Sequence, residues 1–190
     1  MSAMDGNSSP RRLFGAIELT GDLTAGRLIW LLSLGVAAVV LEQAFRWPLQ
    51  MPGHHGIEAM ALYMLGRLSC RNAWSATTTA AGATVAAPML GIDHGALMPL
   101  FYLLPGVLLD LGFRLRPKAG LYLAWLPFVG ALAWASKPVL RVFASLGLGM
   151  QFGSLRAGAM YPILTHLLFG FVGGLVAVLL WRASERASDR

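Results

Sequence analysis

Histidine and acidic side chains are the residues of this sequence most able to do chemistry. Six of them fall in three places: His54, His55 and Glu58 in WPLQMPGHHGIE, Asp93 and His94 in GIDHG, and His166. Imidazole and carboxylate groups suit a divalent transition metal, but a metal site needs three or four of them converging. We therefore expect these segments to form a polar small-molecule pocket, or to hold a metal ion through His54, His55, Asp93 and His94.

Simpler interpretations of these polar residues stay open. His54 and His55 could be solvated loop residues, and Asp93 could cap a helix that begins near residue 95. Glu42 could pair with Arg46, which follows one helical turn later. The sequence has no metal-ligand spacing such as HExxH, so convergence depends on how the elements are arranged.

Composition indicates what kind of element positions these residues. Of the 190 residues, 56% are hydrophobic and 13% are charged, with a mean hydropathy of +0.62, whereas soluble domains are about one quarter charged. This predicts an all-α integral membrane protein. A spanning helix needs about 20 largely apolar residues, and runs near that length occur at 27–45, 56–70, 73–92, 95–113, 119–136 and 158–182. A further apolar stretch, 138–152, is expected to be a re-entrant or interfacial helix, or a seventh span.

The distribution of basic residues predicts the orientation of these spans. Lys and Arg are retained on the cytoplasmic side during insertion, and six spans place eleven of the fifteen on the side of the two termini. We expect a six-helix bundle with both termini cytoplasmic, in a bacterial inner membrane. Residues 1–25 form a polar juxtamembrane segment, 26–182 a single transmembrane domain and 183–190 a cytoplasmic tail. The six polar residues named first then lie in the outer half.

Small residues predict close helix packing. Gly170 and Gly174 form a GxxxG motif, and alanines recur at helical spacing along the third span, at Ala76, Ala80, Ala83 and Ala87. Such a stripe serves packing within the chain or docking of a partner subunit, and both remain open. Asp110 and Arg114, one turn apart, predict a local ion pair or a contact with a cytoplasmic partner.

Several function classes lack their usual sequence features. The chain has no phosphate-binding GxxxxGK[ST] and no GxSxG nucleophile turn, so we expect no ATP hydrolysis and no enzymatic activity by this chain. It has no basic stripe with interleaved aromatic residues, so we expect no nucleic-acid partner. Cys70 is the only cysteine, which excludes an intramolecular disulfide.

Residues 77–113, TTTAAGATVAAPMLGIDHGALMPLFYLLPGVLLDLGF, resemble the substrate-binding S components of energy-coupling factor transporters. The likeness is to that family's small-residue helix, external loop and following helix with Pro and Asp. It implies six membrane helices whose external loops, here 46–56, 92–95 and 137–157, close over a vitamin-like molecule or metal ion. It also implies a transmembrane coupling protein and two cytoplasmic ATPases as partners. The family docks partly through AxxxA surfaces on its first helix, whereas the alanine stripe of this chain lies on the third.

Two other classes compete with this specificity subunit of an importer. One is a non-transporting membrane scaffold of envelope assembly, resembling the cell-shape protein MreD, which would have no small-molecule ligand. The other is a membrane enzyme that uses the same His, Glu and Asp residues as a metal-dependent hydrolase.

Overall fold

The described part of the chain folds as six α-helices. The structure, a computed structural model, describes residues 23–44, 51–92, 95–115, 122–156 and 158–188. The helices are α1 (Ala25–Ala44), α2 (Gly56–Ser69), α3 (Ser75–Met89), α4 (Met98–Arg114), α5 (Tyr122–Leu148) and α6 (Met160–Ser188), and a 3-10 turn occupies Gly153–Leu155. The described residues contain no strand, so the predicted all-α class is confirmed.

Three helices, α1, α5 and α6, are long and apolar enough to cross a membrane, which is consistent with a membrane protein. Their outward faces carry large apolar side chains such as Ile29, Phe143 and Leu146, which would be unfavourable in water. In contrast, α2 and α3 have only 14 and 15 residues, or about 21 to 23 Å of helix. Because a hydrocarbon core is about 30 Å thick, six complete spans remain a prediction.

Residues 138–152 differ from the sequence-based prediction. They form no separate re-entrant, interfacial or spanning helix, because α5 continues through Pro138 to Leu148. Lys137 and Pro138 suggest a break in the sequence, but both are buried here against neighbouring helices, and the charge of Lys137 lies over aromatic rings. Similarly, α6 continues to Ser188, so most of the predicted tail is helical. The N-terminal segment 1–22 lies outside the described residues.

Helices α5 and α6 pack directly through their backbones. A Cβ added to Gly170 would lie 2.6 Å from the carbonyl oxygen of Gly130, and one added to Gly174 would lie 2.8 Å from the Cα of Pro127. The predicted GxxxG motif is thus used within the chain, since larger residues there would separate the two helices.

The alanine stripe of α3 is also used within the chain. Helix α3 packs between α1 and α4, where a Cβ on Gly35 would collide with the α3 backbone and one on Gly106 with the side chain of Ala80. All four alanines are fully buried, namely Ala76, Ala80, Ala83 and Ala87. Because these alanines are buried, they offer no surface to a partner in this structure. Helix packing within the chain therefore replaces their predicted role as docking residues.

Successive helices run in opposite directions, so their starts and ends lie at two ends of the bundle. At one end, the Trp30 indole near the start of α1 donates to Ser69 Oγ at the end of α2 (3.2 Å), and Asp110 near the end of α4 accepts from the start of α3. At the other end, Tyr102 near the start of α4 donates to Glu42 near the end of α1 (3.4 Å). We name these the Asp110 end and the Arg141 end, after the cation of α5 that lies at the second.

Candidate functional site at the Arg141 end

The residues 54–58 predicted for the site form a small polar group before and within the first turn of α2. His54 Nδ1 donates to the carbonyl of Met51 (2.7 Å), and the rings of His54 and His55 lie 3.8 Å apart. His55 Nδ1 is 3.9 Å from Glu58 Oε1, which is beyond hydrogen-bonding distance. Glu58 is only 13% exposed, and neither of its oxygens has a hydrogen-bond partner within the described residues. The structure therefore brings these three residues together, with Glu58 as an incompletely satisfied carboxylate.

His166 packs deeper, between α6, α5 and the segment before α2. Its Nδ1 donates to the carbonyl of Pro162 (2.6 Å), and its ring stacks on Trp134 with centroids 5.9 Å apart. The Trp134 indole donates to the carbonyl of Gly53 (2.9 Å), and Gly53 has a φ of +86°. A Cβ on Gly53 would lie 2.5 to 2.7 Å from the His166 ring, so only glycine allows this approach. These contacts favour a structural role for His166.

Asp93 and His94, the other two predicted site residues, lie outside the described residues. Among the residues that the structure does describe, no three His, Cys, Asp or Glu side chains come together as a metal-binding group. Metal binding by His54, His55, Asp93 and His94 therefore stays a prediction.

A buried cation, Lys137, lies beside His166, although the sequence predicts it in the loop after the fifth span. It is 7% exposed, and its Nζ lies 3.7 Å from the ring centroid of Trp134 and 4.5 Å from that of Tyr102. Cation–π contacts of this kind offset part of the cost of removing an ammonium group from water. Ionisable residues at membrane depth are functional candidates by default, because the apolar surroundings make them costly.

One helical turn after Lys137, Arg141 lines a cavity of about 290 Å³ at the end of the bundle. The cavity lies between the start of α4 and the connection from α5 to α6, and its lining includes Leu97, Phe101, Met150, Phe152 and Ser154. Arg141 Cζ is 5.1 Å from the ring centroid of Phe101, and Nη1 donates to Ser154 Oγ (3.4 Å). Phe101 and Phe152 meet edge to face at 6.2 Å. A single cation thus lines this pocket together with Ser154, and the other lining side chains are aromatic and aliphatic.

The sequence contains a pattern that indicates Lys137 and Arg141 as a pair. Lys137 and Arg141 are separated by four residues, so on a continuous helix they share a face, and both occur in an otherwise apolar run. Because the predicted fifth span ends at residue 136, the prediction separates Lys137 from Arg141, which falls in the 138–152 segment.

The Asp110 end contains a second buried polar group. Asp110 is fully buried and accepts from the backbone N–H groups of Ala76 (3.1 Å) and Thr77 (2.8 Å) and from Thr77 Oγ1 (2.7 Å). Arg67 Nε lies 3.3 Å from Asp110 Oδ1, the oxygen that also accepts from Ala76. The carboxylate therefore satisfies the free donors at the start of α3 and joins α2, α3 and α4.

The predicted ion pair between Asp110 and Arg114 is wrong, because each residue has a different partner. Asp110 is occupied by Arg67 and by the start of α3. Arg114 instead stacks on the indole ring of Trp74, with its Cζ 4.5 Å from the centroid.

Comparison of the chain with protein-family models, with curated proteins and with solved structures finds no match. The functional argument therefore depends on the residues and the geometry of the two ends.

Proposed function

We propose that this chain is the membrane-embedded, substrate-binding subunit of an importer of the energy-coupling factor type, with six membrane helices and both termini in the cytoplasm. The observation that carries the proposal is the cavity at the Arg141 end, which is lined by one cation, by Ser154 and otherwise by apolar side chains and glycines. Small-molecule sites in helical bundles are typically concave and largely apolar, with a few polar groups that fix orientation.

The difference between the two ends supports an outward-facing cavity. At the Asp110 end, the Asp110 network ties three helices together, and six basic residues are described there: Arg27, Arg67, Arg71, Arg114, Arg182 and Arg186. At the Arg141 end, two of the three described basic residues, Lys137 and Arg141, contact aromatic rings within the fold. Because basic residues mark the cytoplasmic side, the cavity faces outward in this proposal.

Transport by this chain requires partners that supply energy. The sequence contains no nucleotide-binding motif, so ATP would be hydrolysed by two partner subunits acting through a transmembrane coupling protein. The α5–α6 connection and the start of α4 both line the cavity, so a relative movement of the two would release the ligand. Such a movement drives release only if the ligand binds the outward state more tightly.

Native mass spectrometry of the tagged protein, gently extracted from its own host's membranes, tests this proposal. We expect a retained small molecule together with a coupling protein and two ATPases. Recovery of envelope-assembly proteins without a bound small molecule would contradict the proposal and favour the scaffold. An effective control is the same tagged protein after delipidation in harsh detergent, which should lose the partners and keep its own intact mass.

A further inference from the structure

We propose that the Asp110 end of the bundle binds an acidic phospholipid, whose phosphate is held by Arg114 beside the indole of Trp74. This inference is independent of the proposed function, because it concerns how the chain contacts its membrane. It follows from donor groups that the described part of the chain leaves unsatisfied, from the charge of this end and from the apolar surface next to Arg114.

Arg114 and Trp74 present hydrogen-bond donors at the surface of the bundle. Arg114 is exposed at the end of α4, Trp74 is 46% exposed just before α3, and Arg114 Cζ lies 4.5 Å from the centroid of the indole. Within the described residues, neither the Arg114 guanidinium nor the Trp74 indole N–H has a hydrogen-bond acceptor or an acidic partner. The stacked ring restricts the guanidinium without using its N–H donors, whose planar fork matches two phosphate oxygens.

The carboxylate nearest to Arg114 in sequence is already occupied. Asp110, one turn earlier on α4, is fully buried, accepts from the start of α3 and lies 3.3 Å from Arg67 Nε. Arg67 therefore has its counter-charge inside the fold. The counter-charge for Arg114 comes from outside the described part of the chain.

The charge of the Asp110 end as a whole also favours an anionic lipid. Six basic and two acidic residues are described there, the acidic ones being Asp110 and Glu185, and Arg71 is an exposed cation in the same connection as Trp74. The Arg141 end has three described basic residues and two acidic ones, Glu42 and Glu58. Each basic residue near a membrane surface raises the affinity for acidic lipids about fivefold, so the Asp110 end is the favoured side.

The surface next to Arg114 suits the acyl chains of a lipid rather than a soluble anion. Leu111 and Leu115 lie one turn apart at the end of α4 and are 42% and 68% exposed. An indole at a membrane interface typically places its ring in apolar surroundings and its N–H among polar groups. A phosphate at Arg114 therefore leaves the acyl chains next to these leucines.

Native mass spectrometry of the delipidated wild-type protein in a nonionic detergent tests this proposal. Phosphatidylglycerol and phosphatidylcholine with identical acyl chains are titrated separately, and the dissociation constant of the first bound lipid is measured. Both lipids carry a phosphate, but only phosphatidylglycerol has a net negative charge. We expect phosphatidylglycerol to bind at least about fivefold more tightly. Equal affinities, or a preference for phosphatidylcholine, would overturn the proposal.

Two variants locate the preference. Arg114→Gln should reduce the ratio of the two dissociation constants about fivefold, because it removes the cation that holds the phosphate. Arg186→Gln is the matched control, since it removes an exposed basic residue at the same end from α6, which packs mainly on α2 and α5. It should change the ratio by less than about twofold. An undiminished ratio in Arg114→Gln, or an equal reduction in both variants, would overturn the site.

Soluble glycerol phosphate distinguishes a lipid from a free phosphate. We expect no detectable binding of glycerol phosphate at concentrations at which phosphatidylglycerol saturates the protein, because the acyl chains contribute through the exposed leucines. Equally tight binding of glycerol phosphate would show that the site takes a soluble anion and would overturn the lipid ligand. Failure of the importer proposal leaves these expectations unchanged, since none of them involves the Arg141 cavity.

Discussion

At the scale of single residues, the charged side chains of the two ends have different surroundings. Asp110 has three hydrogen-bond donors and a guanidinium around it, which is the pattern of a structural charge. Lys137 and Arg141 instead lie over aromatic faces next to a cavity. Because a cavity lies beside Arg141, we propose ligand binding at the Arg141 end and assign stability to the Asp110 end.

We predict that Asp110→Asn strongly destabilises the protein. The amide cannot balance Arg67, and removing one partner of a buried ion pair costs about 3–5 kcal/mol. The free energy of unfolding, measured by denaturant titration in mixed micelles, should fall by this amount. Arg186→Gln, which removes an exposed charge near the end of α6, is the control and should change it by less than about 0.5 kcal/mol. A stable Asp110→Asn protein would contradict a structural role for this carboxylate.

A second residue-scale prediction concerns Gly53. We expect Gly53→Ala to lower the unfolding temperature more than Gly158→Ala does. Both positions have φ near +90°, so alanine at either position introduces the same backbone strain of about 1–2 kcal/mol. Only the Cβ at Gly53 meets a neighbour, the ring of His166, whereas Gly158 has open space. Equal shifts in thermal unfolding would show that the approach to His166 is unimportant.

At the scale of elements, the local pattern of apolar residues predicts where helices occur better than it predicts where they end. Each of the six apolar runs coincides with one helix, and four of the six match the helix bounds within about three residues, because helix formation follows from composition and spacing. The error at Ser136 to Pro138 has a tertiary cause. The sequence shows a cation and a proline, which usually end a span, but Lys137 is held by rings from α4 and α5 and the helix continues.

Only part of the candidate site could be predicted from the local sequence. His54, His55 and Glu58 are adjacent in sequence, so their grouping was predictable. The contact of Gly53 with His166 and the cavity beside Arg141 join segments far apart in the chain, and no local pattern encodes them.

Helix α3 gives an element-scale prediction about its alanine stripe. Ala83→Leu should destabilise the isolated protein by about 1–3 kcal/mol, because Ala83 is fully buried where α1 crosses α3 beside Gly35. Val85→Leu, on the exposed face of the same helix, should change the stability by less than about 0.5 kcal/mol. Thermal unfolding in one detergent compares the two variants. An Ala83→Leu protein that unfolds normally but loses a partner subunit would restore the docking interpretation.

At the scale of the whole molecule, the account requires the Arg141 end to face outward. Cys70 is the only cysteine and is buried, so a Cys70→Ala protein provides a background for introduced thiols. We predict that Gln151→Cys reacts with a membrane-impermeant maleimide in intact cells, because Gln151 is exposed in the α5–α6 connection. Ala187→Cys, exposed near the end of α6, should react only after lysis. The reverse pattern would invert the proposed topology.

The most direct test of the central claim, that the Arg141 cavity holds a small ligand, compares what three forms of the protein retain after purification from host membranes. Extracts of wild-type protein, Ser154→Trp and Gln151→Trp are analysed by mass spectrometry. Ser154 lines the cavity, so an indole there fills it, whereas Gln151 is an exposed neighbour outside the lining. We predict one small molecule in near-stoichiometric amount with the wild type and Gln151→Trp, and its loss from Ser154→Trp. Equal retention by all three forms, or by none, would contradict the account.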